Sequence, residues 1–194
     1  MFEELFHAMI VKSFSDDDHP AYGQAATTDN GEYPQVRTVH FRYLQDADRI
    51  TFAANIKSSK WSQIARTPFV AGCYFDQYRL IQFRWEGKAE LVDLKSGPKH
   101  LALVQKMWGF VRPDVRSAYW LDYKKISLEK RPWPEVDVAS CCPTFGIVIC
   151  TPHLWDIMEV NPEDYRLDRR TIHKWNGKDW ESEQVSVLHG KGLY

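Results

Sequence analysis

Apolar residues open the chain at helical spacing. Phe2, Leu5, Phe6, Met9 and Ile10 recur at intervals of three and four, which predicts an amphipathic helix over residues 1–12. Asp16-Asp17-Asp18 and Pro20 break that pattern, and Gly23, Asn30-Gly31 and Pro34 make residues 13–34 turn-rich, with one short strand around Ala21–Ala26. The period then shortens. Val36–Tyr43 and Arg49–Ala54 read as strands joined by the polar connector Gln45-Asp46-Ala47-Asp48. Ser59–Thr67 predicts a short helix with Trp61 and Ile64 on one side, Ser58 or Ser59 as its N-cap, and Pro68 as its stop. Phe69–Phe75 and Arg79–Leu91 form an antiparallel pair around Asp76-Gln77-Tyr78.

Helical spacing returns at Pro98 and runs through Leu101, Leu103, Val104, Met107 and Trp108. Arg112-Pro113-Asp114 interrupts it, and Val115–Leu121 predicts a second short helix. Pro132, Pro134 and Pro143 mark residues 127–143 as a surface connection. Strands resume at Phe145–Cys150, His153–Val160, Asp168–Trp175 and Trp180–Val187, the last two joined through Asn176-Gly177, a strong hairpin signal. Antiparallel strands with a few helices predict a β-rich α+β protein or barrel. There is no GxGxxG turn for a dinucleotide. At 194 residues the chain has room for one sizeable core, so residues 1–194 are read as one domain.

Composition narrows the function. Charged residues make up 26% and the net charge is -1, so there is no general basic field for nucleic acid. Any anion site has to be local. Eight Trp, nine Tyr and ten Phe suit a β-rich core, with a minority left to line a flat ligand or an interface. Cys73, Cys141, Cys142 and Cys150 make no CxxC pair, and the histidines supply no metal spacing. No signal peptide or apolar run of membrane-spanning length is visible, which points to reduced thiols in the cytoplasm.

The candidate chemistry clusters in residues 35–92. Arg37-Thr38-Val39 lies near the start of one strand segment, Phe52-Ala53-Ala54-Asn55 closes another, and Ser58-Ser59-Lys60 opens the predicted helix; Gln82 precedes Gly87-Lys88-Ala89. Cations and hydroxyls at strand ends hold phosphate oxygens through charge-assisted hydrogen bonds. On residue type alone, Arg37 reads better as a solvated strand-end charge and Gln82 as a surface amide. His40 titrates near neutrality and is the tempting acid–base candidate; a strand histidine with no proton-transfer role is the plainer reading.

In order and spacing these motifs resemble the pyridoxamine 5'-phosphate oxidase-like FMN-binding split-barrel family, in a branch other than the vitamin-pathway enzyme. The resemblance implies an antiparallel split β-barrel homodimer with FMN between the subunits and a small-molecule oxidoreductase activity. It places the FMN phosphate on Arg37, Ser58, Ser59 and Lys60, with Ser59 standing where the family often has a second cation. It sets Gln82 against the isoalloxazine ring and runs Thr38, Val39, His40, Ala53, Ala54 and Asn55 beside it. Near the C-terminus, Tyr165-Arg166-Leu167-Asp168-Arg169-Arg170 is similar to the family's arginine-bearing motif, with Arg170 as a flavin contact and Arg169 as the register alternative. Asp168 replaces a histidine there, which argues against oxidation of pyridoxamine or pyridoxine 5'-phosphate. Arg42, Arg112, Ser117 and Arg166 match substrate-holding positions. Within the same resemblance, the alternatives are the vitamin-pathway oxidase itself and a flavin- or haem-binding protein without turnover.

Overall fold

Two long antiparallel strands organise the molecule. The computed structural model describes residues 4–29, 33–120 and 139–187. Its elements are α1 (Glu4–Phe14), β1 (Tyr22–Asp29), β2 (Tyr33–His40), β3 (Arg42–Leu44), β4 (Arg49–Asn55), α2 (Ser59–Arg66), β5 (Phe69–Asp76), β6 (Ile81–Asp93), α3 (Pro98–Phe110), α4 (Pro113–Trp120), β7 (Phe145–Glu159), β8 (Arg169–Trp175) and β9 (Trp180–Val185). The sheet runs β2-β1-β5-β6-β7-β4-β3, and β8 and β9 branch from β7. It does not close by hydrogen bonding, so the barrel is split.

β6 and β7 pair along their whole length, with a register shift at Glu86/Gly87. Gly87 is required there: a Cβ would stand 2.5 Å from the Thr151 carbonyl oxygen. The bend lets the first half of β7 pair with β4 and the second half with β8. The two strands expected over Phe145–Cys150 and His153–Val160 are therefore one bent strand. Thr151-Pro152 sits at the bend and imitates a break.

The alternation predicted for Arg79–Leu91 is observed in β6, where Ile81, Phe83, Trp85, Gly87 and Ala89 are buried and their neighbours are not. Phe145–Cys150 of β7 shows no alternation because both of its faces are covered. Val148 and Cys150 face the main core with Phe41, Phe52, Phe83, Trp85 and Trp155. Phe145, Ile147 and Ile149 face a second cluster under α3, with Val104, Met107 and Trp108. α1 plugs the main core through Phe6, Ile10 and Phe14, with Phe14 edge-on to Tyr74 and Phe83 at 5.2 Å.

The expected single strand Val36–Tyr43 is split at Phe41. That ring is fully buried and its N–H donates to the Ala21 carbonyl at 2.9 Å. β2 consequently pairs with β1 along its whole length, a hairpin the turn-rich reading of residues 13–34 did not foresee. Only Arg42–Leu44 reaches β4. The predicted connector forms a 3-10 turn over Gln45–Ala47, closed by Asp48 at φ 50°. The second short helix starts two residues earlier than expected, and most of the 127–143 connection lies outside the described residues. The Asn176-Gly177 hairpin forms as predicted, with Gly177 at φ 99°.

One ion cluster pins the α1–β1 link to the β5–β6 turn. The Arg79 guanidinium donates to Asp16 Oδ2 at 2.7 Å and to Asp76 Oδ2 at 2.9 Å. Among the described residues no helix is long and apolar enough to cross a membrane.

Candidate functional site

The rim of the barrel beside β2 carries the clearest local chemistry. Arg37 pairs opposite Ala25 and lies on the inner face with Thr27 and Val39. Its Nη1 donates to the Ala25 carbonyl at 3.2 Å and to Thr27 Oγ1 at 2.7 Å; its Nη2 donates to Gln63 Oε1 at 3.0 Å. All three acceptors are neutral. Burial holds the Arg37 guanidinium below its ordinary pKa. Burial also lowers the Lys60 ammonium, and the nearby Arg37 charge lowers it further.

Local sequence explains why Lys60 stands there. Asn55 ends β4 and its Oδ1 accepts the Lys57 N–H at 2.8 Å, turning the chain sharply into α2. Trp61 then seats α2 against Gly146, where a Cβ would come within 2.5 Å of the indole. Ser58 occupies the expected N-cap position, but its hydroxyl donates back to the Asn55 carbonyl at 2.6 Å and makes no side-chain cap. Ser59 is exposed. Two half-buried cations held together, with no carboxylate partner among the described residues, form a cradle for an anion with several acceptor oxygens.

Gln82 is elsewhere. It lies on the outer face of β6, and one cross-strand row runs Phe75, Gln82, Met158, Arg170. Gln82 and Arg170 therefore share a face about 10 Å apart, two strand spacings. Arg169, the alternating neighbour, projects from the opposite face. Arg170 is held by Asp156, which accepts from its Nε at 2.9 Å and its Nη2 at 2.8 Å, and Arg84 donates to the same buried carboxylate. Within one chain this outer set is separate from Arg37 and Lys60.

The other expected positions are dispersed. Val39 and Ala54 turn their side chains into the core, so only their backbone is available; Ala53 is half-buried and Thr38 is exposed. His40 packs against Tyr22 at 4.9 Å between ring centroids, and burial with the Arg42 charge pushes it down to about 4, so it is neutral near pH 7. The Arg42 guanidinium carbon lies 4.2 Å from the Phe110 ring centroid. Arg112 is paired with Asp114, and the Ser117 hydroxyl donates to the Asp114 carbonyl. Arg166 is paired with Asp164. Asp168 accepts the Asn161 N–H at 2.7 Å.

Sequence reasoning missed Thr27, Gln63, Arg84 and Asp156. Gln63 had a weak signal: a polar residue three after Lys60 falls on the same face of the predicted helix. Thr27 had none, because its strand was not foreseen to pair with β2. Among the described residues no group of His, Cys, Asp and Glu is arranged for a metal.

The chain is a split antiparallel barrel with two half-buried cations at its rim, and comparison with known proteins shows what it is similar to. Residues 1–93 match the family model described as pyridoxamine 5'-phosphate oxidase, FMN-binding domain. The resemblance to the pyridoxamine 5'-phosphate oxidase-like split-barrel family holds in fold as well. The chain superposes on a pyridoxamine 5'-phosphate oxidase-related, FMN-binding protein of Nostoc punctiforme with TM-score 0.74 and 24% identity, covering 94% of this chain and 96% of that one. PhzG of Burkholderia lata, solved with tetrahydrophenazine-1-carboxylic acid, gives TM-score 0.66 at 17% identity, covering 94% and 88%. In sequence the chain is similar to pyridoxine/pyridoxamine 5'-phosphate oxidase 2 of Arabidopsis thaliana, 31% identical over 114 residues, which is 58% of this chain. It spans 56% of that relative's length. The corresponding oxidase of Maricaulis maris is 28% identical over 161 residues, 81% of this chain and 68% of the relative.

Proposed function

We propose that the chain binds FMN and acts as an FMN-dependent oxidoreductase on a small molecule, as a homodimer. The observation that carries this reading is the pair Arg37 and Lys60, half-buried, within electrostatic reach of each other and without a carboxylate partner among the described residues. Two desolvated cations side by side are unfavourable until an anion joins them. The phosphate of FMN satisfies that demand, with the Arg37 fork and the Lys60 point charge on its oxygens and Ser58 and Ser59 at the start of the same helix as Lys60.

Bound flavin supplies two-electron exchange with the substrate, while the chain binds, orients and shields. Gln82 presents an amide that both donates and accepts, and Arg170, fixed by Asp156, presents a cation in the same row. Because this row is remote from Arg37 in one chain, it serves the flavin of a second copy. Exposed apolar side chains on the same outer sheet face, Val36, Phe69 and Phe75, support pairing of the two copies. The substrate is proposed to be other than pyridoxamine or pyridoxine 5'-phosphate, since Asp168 is committed to a backbone N–H and brings no imidazole.

Titration of the apoprotein with FMN and riboflavin tests the reading. Arg37→Ala and Lys60→Ala are each expected to weaken FMN by about 1.5–3 kcal/mol and to leave riboflavin, which lacks the phosphate, nearly unaffected. FMN affinities equal to the parent's would refute the phosphate assignment. In the same preparation, light scattering that shows a monomer retaining flavin would refute the dimer. Rapid formation of pyridoxal 5'-phosphate would restore the vitamin-pathway activity.

A further inference from the structure

We infer that Gln63, together with Thr27, is a positioning residue of the anion site, holding Arg37 in place through neutral oxygens so that its charge stays available to the ligand. This inference rests on the FMN reading above. Gln63 is 5% exposed and Thr27 2% exposed, so neither hydroxyl nor amide is there to meet solvent. The Thr27 hydroxyl donates to Gln63 Oε1 at 2.6 Å and accepts from Arg37 Nη1 at 2.7 Å. Gln63 Oε1 also accepts from Arg37 Nη2 at 3.0 Å. The three groups thus close a ring in which the direction of every hydrogen bond is set: arginine can only donate, so the threonine oxygen must accept from it and pass its own proton to the amide oxygen.

The ring also sorts the guanidinium. Its bonds to Ala25, Thr27 and Gln63 occupy three of the five N–H groups. Nε–H and one Nη2–H remain, the two neighbouring donors that form one edge of the arginine fork and match a pair of phosphate oxygens. Gln63 lies three residues after Lys60 on α2, so one helix sets both the ammonium and the brace on the guanidinium.

The identity of residue 63 decides the electrostatics. A glutamate there would reach the same atoms and would stabilise the unliganded protein better, because it would neutralise one of two half-buried cations. It would also cancel the field that attracts the phosphate. The amide keeps the geometry and leaves the charge, at some expense in apoprotein stability.

Gln63→Glu separates these effects. The FMN dissociation constant is expected to rise on the order of a hundredfold, riboflavin affinity to stay within about twofold of the parent, and the melting temperature of the apoprotein to hold or rise. Thr27→Val, which removes the hydroxyl and keeps the shape, is expected to weaken FMN about tenfold with riboflavin again unchanged; it serves as the test if the glutamate variant does not fold. A purely structural Gln63 predicts parallel losses of FMN and riboflavin affinity with a lowered melting temperature, and that result overturns the inference. FMN binding by Gln63→Glu equal to the parent's, while Arg37→Ala and Lys60→Ala impair it, also overturns this inference and leaves the FMN reading standing. If Arg37→Ala and Lys60→Ala bind FMN like the parent, the FMN reading itself fails and takes this inference with it.

Discussion

Replacing Arg79 by alanine removes its contacts to both Asp16 and Asp76, and at the fully buried Asp76 the pH dependence should change sign. Asp76 has no exposed surface and accepts from Arg79 Nη1 at 2.9 Å and from the N–H groups of Tyr78 and Arg79 at 3.1 Å each. Removing one partner of a buried pair costs about 3–5 kcal/mol; the two surviving backbone donors place Arg79→Ala near the low end, about 3 kcal/mol at pH 7. In the parent, burial raises the Asp76 carboxyl, but the Arg79 hydrogen bond and the other donors outweigh it, so it lies below its ordinary 3.8. Its contribution is therefore present above about 4 and lost as acid is added. Without Arg79, burial wins and the folded-state value rises above the unfolded one. The contribution is then complete below about 4 and lost as pH rises. Urea denaturation of parent and variant at pH 5 and pH 7 reads this directly: the deficit should be larger at pH 7. A deficit under about 1 kcal/mol at pH 7, or one that does not grow between the two, would show that Asp76 is not buried against Arg79 as described.

Two further outcomes are expected. Asp156→Asn keeps the shape but faces two arginines with a neutral amide, so the urea midpoint should correspond to a loss of about 2–4 kcal/mol; unchanged stability would mean that Arg84 and Arg170 do not depend on this carboxylate. His40, held to about 4 against an ordinary 6.5, stays neutral in the fold while the unfolded chain takes up a proton, so it should erode stability as pH falls from about 6.5 to 4. His40→Gln should flatten the denaturation midpoint across that window, and an identical slope in parent and variant would refute the burial of His40.

What could be read from the chain was set by how local the controlling interactions are. The α2 start, the β5–β6 pair and the Asn176-Gly177 hairpin depend on neighbours in sequence, and all three were legible. The β1–β2 hairpin was hidden because Gly23, Asn30-Gly31 and Pro34 made the segment turn-rich and left only a short strand around Ala21–Ala26, whereas Gly23 is needed where a Cβ would sit 2.5 Å from the Cys73 carbonyl. The bend in β7 was hidden because Gly87, which permits it, is on another strand. At the candidate site, Arg37 and Lys60 were visible by type and spacing. Their neutral brace was not, since Thr27 and Gln63 meet only after β1, β2 and α2 have assembled.

The seating of α1 sets an order for making the protein. Phe6 stacks on His173 at 4.0 Å and packs edge-on to Trp155 at 6.1 Å, so α1 is synthesised well before the β7–β8 surface that it binds. β4 likewise waits for β7, with Thr51 Oγ1 donating to the Val148 carbonyl at 2.9 Å. Until β7 and β8 emerge, Phe6, Ile10 and Phe14 and the unpaired edge of β4 have no native place to go. Such long-range closure is slow and leaves apolar surface open during synthesis. The helix that seals the barrel thus keeps its apolar face exposed until strands more than a hundred residues later have been made.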